Sequence, residues 1–192
     1  MKLNPIKKTS AWQFVTSSTG GIGVEFFAAE GGQIYLNDPS GSLRTFTYGV
    51  AGGGLSIGFK LPKIGKLQIP VKGASVGGVG APASFPNTGC LYILSSFDGD
   101  ELTYNDISGV CGLVEIGGGL IAGASSTAML LGMNPKWMAA TVVAMASPLS
   151  QSLMPLAYKK LIESATSLLL MAGVNAGVQG GAGIIGCTGY LG

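Results

Sequence analysis

Residues 33–49, QIYLNDPSGSLRTFTYG, place two runs rich in aromatic and β-branched residues on either side of Asp38-Pro39-Ser40-Gly41. Asp, Pro, Ser and Gly are the residues that turns prefer, each for its own backbone or hydrogen-bonding property. Two strand-forming runs separated by such a turn predict a β-hairpin. Apolar and polar residues alternate in residues 43–50, LRTFTYGV, which supports a strand with one buried face.

The β pattern continues along the first two thirds of the chain. Residues 90–97, CLYILSSF, form another strand candidate, and short strands punctuated by Gly and Pro predict a sandwich or a barrel. Residues 116–133 carry no charge, which is near the lower limit for a membrane-spanning helix. The longer stretch of residues 109–132, GVCGLVEIGGGLIAGASSTAMLLG, divides around Gly117-Gly118-Gly119 into two apolar runs, as a tight hairpin would. We favour the hairpin for the protein outside a membrane.

The last third differs from the rest in charge and composition. Asn134-Pro135 is a helix-start pair, and the uncharged residues 137–158 contain Pro148 and Pro155, which should kink or split a helix. The charges of residues 116–192 lie at the joints between apolar segments, as in a multi-pass membrane protein; they are Lys136, Lys159, Lys160 and Glu163. The sequence predicts an α+β fold with a β-rich domain over residues 1–133 and an apolar, helical, glycine-rich segment over residues 134–192.

Glycines in this last segment recur every four residues. On a helix such a spacing forms one stripe, and in lipid a small-residue stripe lets helices approach closely. Amides on the opposite face would have to meet a partner or an aqueous lumen. The alternative is a glycine-rich hairpin or loop docked on the β domain, with the amides in turns. The stripe comprises Gly173, Gly177 and Gly181, with Gly119 and Gly123 repeating the spacing, and the opposite amides are Asn175 and Gln179.

Composition limits the class of protein. Charged residues make up 10% and hydrophobic residues 47%, which argues against a disordered chain. A net charge of +2 does not support nucleic-acid binding. Polar residues interrupt the start of the chain, so we expect no export signal. Residues 50–73 carry four lysines that would suit either an anionic membrane surface or the protection of an edge strand; they are Lys60, Lys63, Lys66 and Lys72.

Motifs of catalysis lack the partners that they need. Ser75 lies in a G-x-S-x-G pattern, but the chain contains no histidine to act as its base. Residues 181–186 match G-x-G-x-x-G, yet only six residues follow, too few for the helix and acidic residue of a nucleotide site. The sequence therefore predicts no enzyme.

No cofactor or metal site is predicted either. The acidic residues of FDGDELTYND are interpreted as a solvated loop, and the three cysteines as buried thiols. The residues in question are Asp98, Asp100, Glu101 and Asp106, and Cys90, Cys111 and Cys187.

The small size, the absence of an export signal, the β-like residues 46–70 and the glycine-rich GVNAGVQGG of residues 173–181 together resemble a known group. These are the small antibacterial effectors of bacterial type VI secretion that form ion-conducting pores in the recipient's inner membrane. The resemblance gives the membrane-packing role to the five stripe glycines. It assigns no selectivity filter, and Glu115 and Glu163 are merely the available acidic groups.

The resemblance also implies a route and partners. Such an effector starts in the cytoplasm of the producing cell and travels inside the ring of the haemolysin-coregulated protein. It reaches the target periplasm, inserts into the inner membrane, in some cases as a homo-oligomer, and dissipates the membrane potential by cation leakage. The producer needs a cognate membrane immunity protein.

Two other hypotheses compete with a pore. The first is a non-enzymatic β-rich structural or binding protein whose glycine-rich tail packs on its own core or on a partner. The second is a hydrolase that uses Ser75.

Overall fold

A computed structural model of the chain describes residues 4–24, 27–53, 86–116, 125–146, 152–173 and 186–192. These residues form one antiparallel sheet of nine strands with three helices. The strands are β1 (Ile6–Thr9), β2 (Gln13–Val24), β3 (Phe27–Asn37), β4 (Leu43–Gly53), β5 (Pro86–Leu94), β6 (Gly109–Ile116), β7 (Ser125–Met133), β8 (Ser167–Gly173) and β9 (Gly186–Leu191). The helices are α1 (Tyr104–Ile107), α2 (Pro135–Ala146) and α3 (Met154–Glu163).

The order of the strands across the sheet is β1-β5-β8-β7-β6-β9-β4-β3-β2. Strands β2, β3 and β4 are neighbours in both sequence and space, whereas β8 lies between β5 and β7, and β9 lies between β6 and β4. Strand β2 at one edge also contacts β5 near the other edge. The sheet therefore curves back on itself and encloses one of its faces.

The turn between β3 and β4 is the one that the sequence predicts. The Gly41 N–H donates to the Asp38 carbonyl at 2.8 Å, and Gly41 has a φ of 86°, which a glycine adopts without strain. The Asp38 carboxylate accepts from the backbone N–H groups of Ser40 and Ser42 at 3.0 and 2.9 Å, and from the Arg44 guanidinium at 2.9 Å. These donors, led by the Ser40 hydroxyl, lower the pKa of Asp38 to about 2.

The enclosed face of the sheet holds an inner core. Phe46 on β4 is fully buried, with its ring 6.0 Å from that of Trp12 in an edge arrangement and stacked at 4.7 Å on Tyr104 of α1. Strands β5 to β9 contribute alternate residues to the same core, as the two-residue period of a strand requires; they include Leu91, Ile93, Leu113, Met129, Leu131, Leu169, Met171 and Leu191.

The opposite face of strands β5 to β8 holds an outer core, because α2 and α3 pack over it. Leu168 and Leu170 alternate with the inner-core Leu169 along β8, so this strand is buried on both faces. Helix α3 contributes Leu161 and Ile162 to this outer core, and Ala165, which follows the helix, belongs to it as well. A strand covered on both faces loses the alternation that marks a half-exposed strand.

The predicted helical C-terminal third is wrong. Residues 167–173 and 186–191 are strands β8 and β9 in the interior of the sheet, and the helices of this third are short. Within the described ranges, no helix has both the length and the hydropathy needed to cross a membrane. The error has a physical cause, since the uncharged run of β8 is equally compatible with a buried helix and with a strand buried on both faces.

Other predictions about local structure are confirmed. Strands β6 and β7 pair in antiparallel register, as the hairpin interpretation of residues 116–133 requires, although the connecting residues 117–124 lie outside the described residues. Helix α2 begins at Pro135. The apolar stretch that follows is divided between two helices, with Pro155 in the first turn of α3.

Candidate functional site

The pair formed by α2 and α3 is the part of the described chain that differs most from an ordinary protein surface. Helix α2 starts where the sequence places it, because the Asn134 side-chain oxygen accepts the Lys136 N–H at 2.9 Å and Pro135 occupies the first helical position. The two helices pack against each other. The Asn134 N–H donates to the Ser164 hydroxyl at 2.9 Å, which ties the start of α2 to the end of α3.

One side of each helix faces the protein. Thr141 and Ala144 of α2 are buried, and the Thr141 hydroxyl donates to the Trp137 carbonyl one turn earlier at 2.8 Å. Ala157 and Leu161 of α3 are buried against the sheet. The other side of α2 is apolar as well, since Val142 is 51% exposed. A helix that is apolar on all sides is normally a buried one, so its place on the surface needs a functional explanation.

The charged residues of the pair lie at the start of α2 and in the second half of α3. Glu163 forms ion pairs with Lys159 at 3.3 Å and with Lys160 at 3.5 Å. Such exposed pairs are worth only about 0–1 kcal/mol. Lys136 is exposed at the start of α2. These are the joint residues that the sequence singles out; Lys136 and Glu163 lie at the end of the pair that the Asn134–Ser164 hydrogen bond closes, and Lys159 and Lys160 lie further along α3.

Glu101 and Asp106, in the segment that follows β5, accept hydrogen bonds that hold this segment in place. Glu101 accepts a hydrogen bond from the Ser10 hydroxyl and from the N–H groups of Ala11 and Leu102 at 2.9 and 3.0 Å, which attaches the loop to the start of β2. Asp106 accepts from the Thr103 N–H at 2.8 Å and caps α1. Burial works to raise the pKa of Glu101, but the three hydrogen bonds outweigh it and lower the pKa overall.

In the described ranges the cysteines and acidic residues do not form a metal site, and Cys111 is a buried thiol. No group of three or more Cys, Asp and Glu side chains there lies close enough to hold a metal ion. Burial raises the pKa of the Cys111 thiol to about 12, so it remains protonated at neutral pH. Burial, together with the neighbouring Cys90, raises the pKa of Tyr92 to about 12. Cys187 lies in β9, in backbone register with Leu113.

The predicted glycine stripe is described at one position only. Gly173 is the last residue of β8, in register with Ser125 of β7 and Pro86 of β5. The packing role of the stripe stays a prediction. The other six members of the predicted set lie outside the described residues; they are Gly119, Gly123, Asn175, Gly177, Gln179 and Gly181.

Several motif residues are also outside the described ranges. Ser75 and the lysines at 60, 63, 66 and 72 fall in residues 54–85. Gly186, which ends the G-x-G-x-x-G pattern, begins strand β9 rather than a helix. Glu115 lies in β6, in backbone register with Thr127.

Sequence reasoning missed the exposed apolar residues of the helical pair. It treated residues 137–158 as one uncharged segment and did not separate a buried from an exposed side. The signal was present, because within residues 137–146 every residue except Thr141 is apolar. A helical wheel therefore leaves apolar side chains pointing away from whatever face the sheet covers.

Comparison with known proteins identifies the family. No protein-family model matches the chain, and no solved structure matches it. The chain is similar to toxin protein Tse4 of Pseudomonas aeruginosa, with 45% identity over 182 residues that cover 95% of this chain and 93% of that protein. Identity at this level over nearly the whole of both chains means that they share a fold and an ancestor. The chain belongs to the family of toxin protein Tse4.

Proposed function

We propose that this toxin is delivered by type VI secretion into a neighbouring bacterium, where it inserts into the inner membrane and forms a cation-selective pore that dissipates the membrane potential. The observation that carries the proposal is the 45% identity to a named toxin over 95% of the chain. The apolar composition and the four-residue spacing of glycines in the C-terminal segment support a membrane as the target.

The described structure also indicates what insertion would require. Gly173 belongs to strand β8, in the middle of the sheet, and β9 follows residues 174–185. If residues 173–181 pack as a helix in lipid, Gly173 must leave β8 and its partners in β5 and β7. The pore therefore forms from a rearranged chain, and the folded sheet is the carried form.

Partners follow from this route. We propose that the ring of the haemolysin-coregulated protein carries the folded chain, that the stripe glycines pack homo-oligomers in the membrane, and that a membrane immunity protein protects the producer. Asn175 and Gln179 would line the lumen.

Planar-bilayer recording of the purified chain tests the pore. We expect single-channel currents, and under a KCl gradient a reversal potential on the cation side. Gly177→Leu should abolish the current, because the side chain holds packed helices apart, and should leave secretion intact. Gly49→Leu is the matched control, since a Cβ at Gly49 meets no atom within 4 Å. Currents of Gly177→Leu equal to those of the unmodified chain would remove the stripe from the mechanism.

The competing binding-protein hypothesis has one observation in its favour. Part of the C-terminal segment packs within the protein's own sheet, as strands β8 and β9. That hypothesis predicts a stable monomer without any conductance in liposomes, so the same recording separates it from the pore.

A further inference from the structure

The exposed side of α2 is apolar from its second turn to its last described side chains. At 100° per residue, Lys136, Ala139, Val142 and Val143 fall on one side of the helix, opposite the buried Thr141 and Ala144. Val142 is 51% exposed and Val143 64% exposed. Lysine is the one charged residue on this side, and it lies at the start of the helix.

The neighbouring helix shows the same gradient. Leu153, immediately before α3, is 58% exposed, and Leu156 in its first turn is 55% exposed. Lys159 and Lys160 follow one turn later, and both are exposed. Exposed apolar residues therefore lie at the start of α3, and exposed basic residues follow one turn further along the helix.

These two gradients coincide in space. The hydrogen bond between Asn134 and Ser164 defines one end of the pair as its base. Since the helices pack together from that base, the end of α2 and the start of α3 lie at the opposite end, which we call the tip. The tip carries the exposed side chains of Val142, Val143, Leu153 and Leu156. Lys136 lies at the base, and Lys159 and Lys160 lie on α3 between the tip and the base. From Val143 to Lys136 the helix rises by about 10 Å.

The segment that contains the helical pair, residues 134–164, carries a net positive charge. The chain has 11 Lys and Arg residues and 9 Asp and Glu residues, and three of the former and one of the latter lie in residues 134–164. The rest of the chain carries eight of each sign, so the net charge of this segment equals that of the whole chain, +2. A basic collar around an apolar tip is complementary to an anionic lipid surface, with the lysines at the headgroups and the apolar side chains below them.

We propose that the tip of the α2 and α3 pair is a lipid-docking surface by which the folded toxin first attaches to an anionic bilayer. The inference deepens the proposed function and rests on it for the choice of a membrane as target. Penetration by the tip side chains is shallow, because interfacial helices reach about 5–10 Å into the headgroup boundary. Docking needs no rearrangement of the sheet, so it precedes insertion.

Flotation of the full-length chain with liposomes tests the docking surface. The vesicles contain phosphatidylglycerol and phosphatidylethanolamine, with pure phosphatidylcholine vesicles for comparison. The double variant Val142→Asn with Leu156→Asn keeps the net charge and changes only exposed side chains. Leu43→Asn is the matched control, because Leu43 is 57% exposed on β4, away from the helical pair. We expect the double variant to bind anionic vesicles at least about tenfold more weakly and the control to bind as the unmodified chain does.

A second variant tests the basic collar. Lys159→Gln with Lys160→Gln should weaken binding to anionic vesicles while leaving the weak binding to phosphatidylcholine unchanged, and added salt should reduce that difference. Circular dichroism and thermal unfolding of each variant should match the unmodified chain, which shows that lost binding is not lost folding. Equal binding by the Val142 and Leu156 double variant, or an equal loss in Leu43→Asn, overturns the inference. So does an unmodified chain that fails to float with anionic vesicles.

Conductance of the same proteins separates this inference from the pore. If the unmodified chain floats through its tip but passes no current, the pore proposal fails and the docking surface stands. If the double variant fails to float yet conducts at the unmodified rate, docking by this surface is not the route to the membrane and the inference fails while the pore stands.

Discussion

Two apolar regions of this protein are used in opposite ways. In the inner core, Phe46 is fully enclosed between Trp12 and Tyr104, while at the helical tip Val142 is half exposed. Burial of a large apolar side chain stabilises a fold by about 1.5–3 kcal/mol, and an exposed one contributes almost nothing to it. Apolar composition alone therefore does not distinguish residues that hold the toxin together from residues that are available to a membrane.

The largest effect on stability is expected from the inner core. Phe46→Ala should lower the free energy of unfolding by about 3–5 kcal/mol, because it removes a buried ring and leaves a cavity. Urea unfolding followed by tryptophan fluorescence measures the loss. Leu43→Ala, an exposed position on the same strand, should change it by no more than about 0.5 kcal/mol. Equal losses at the two positions would contradict the division between core and surface.

A somewhat smaller effect is expected at the joint between the sheet and the helical pair. Gly132 has a φ of 62°, and a Cβ there would lie 2.1 Å from the Thr166 hydroxyl and 2.6 Å from the Asp106 carbonyl oxygen. Gly132→Ala should therefore destabilise the fold by about 2–4 kcal/mol, through the left-handed backbone and the crowding together. Gly49→Ala is the control, because no atom lies within 4 Å of its Cβ. Thermal unfolding of both variants decides whether this joint is as tight as its geometry indicates.

The loop that closes the inner core gives a pH-dependent effect. Glu101→Gln should cost about 1–3 kcal/mol at neutral pH, because it weakens hydrogen bonds from Ser10, Ala11 and Leu102 to a charged acceptor. The pKa of Glu101 is lowered in the folded protein, so its stabilising contribution is complete above the ordinary glutamate pKa. That contribution is lost as the pH falls through the lowered value.

Urea unfolding of Glu101→Gln and of the unmodified chain over this pH range provides the check, and the difference between them should shrink towards acid. Asp100→Asn, at an exposed position in the same loop, is the control and should change the free energy of unfolding at neutral pH by no more than about 0.5 kcal/mol. A difference that does not depend on pH would mean that the Glu101 charge is not what attaches the loop.

The smallest effect is expected at the tip. Val142→Asn should change the free energy of unfolding by less than about 0.5 kcal/mol in the absence of lipid, since the side chain is half exposed. If Val142→Asn leaves stability unchanged while the double variant with Leu156→Asn loses vesicle binding, the tip serves docking rather than folding. A loss comparable to that of Phe46→Ala would instead make the tip part of the core.

The sequence predicts features of this structure that depend on neighbouring residues. The hairpin of β3 and β4 follows from Asp38 and Gly41 in its turn, and the start of α2 follows from Asn134 and Pro135. Strand β8 could not be predicted in the same way, because Leu168 and Leu169 enter different cores and the strand shows no alternation. The place of β9 depends on β4, more than 130 residues earlier in the chain, and no local pattern encodes such a pairing.

The candidate site likewise has features that the local sequence predicts and features that depend on the packing of distant residues. The lysines at the ends of the apolar segments are visible in the sequence, and the structure places Lys136 at the start of α2 but Lys159 and Lys160 inside α3. Which apolar residues of α2 remain exposed depends on what the sheet covers, so the exposed Val142 and the buried Ala144 cannot be told apart before the packing is known.

Strand β9 has a consequence for the kinetics of folding. It is the six-residue strand through which β6 and β4 are joined, so without it the hydrogen-bonded sheet consists of two separate parts. The meander of β2, β3 and β4 can form from local contacts, but joining it to the rest requires closure of a very long loop. Such closure slows folding. Release of the single strand β9 would leave open edges at β4 and β6 in the folded toxin.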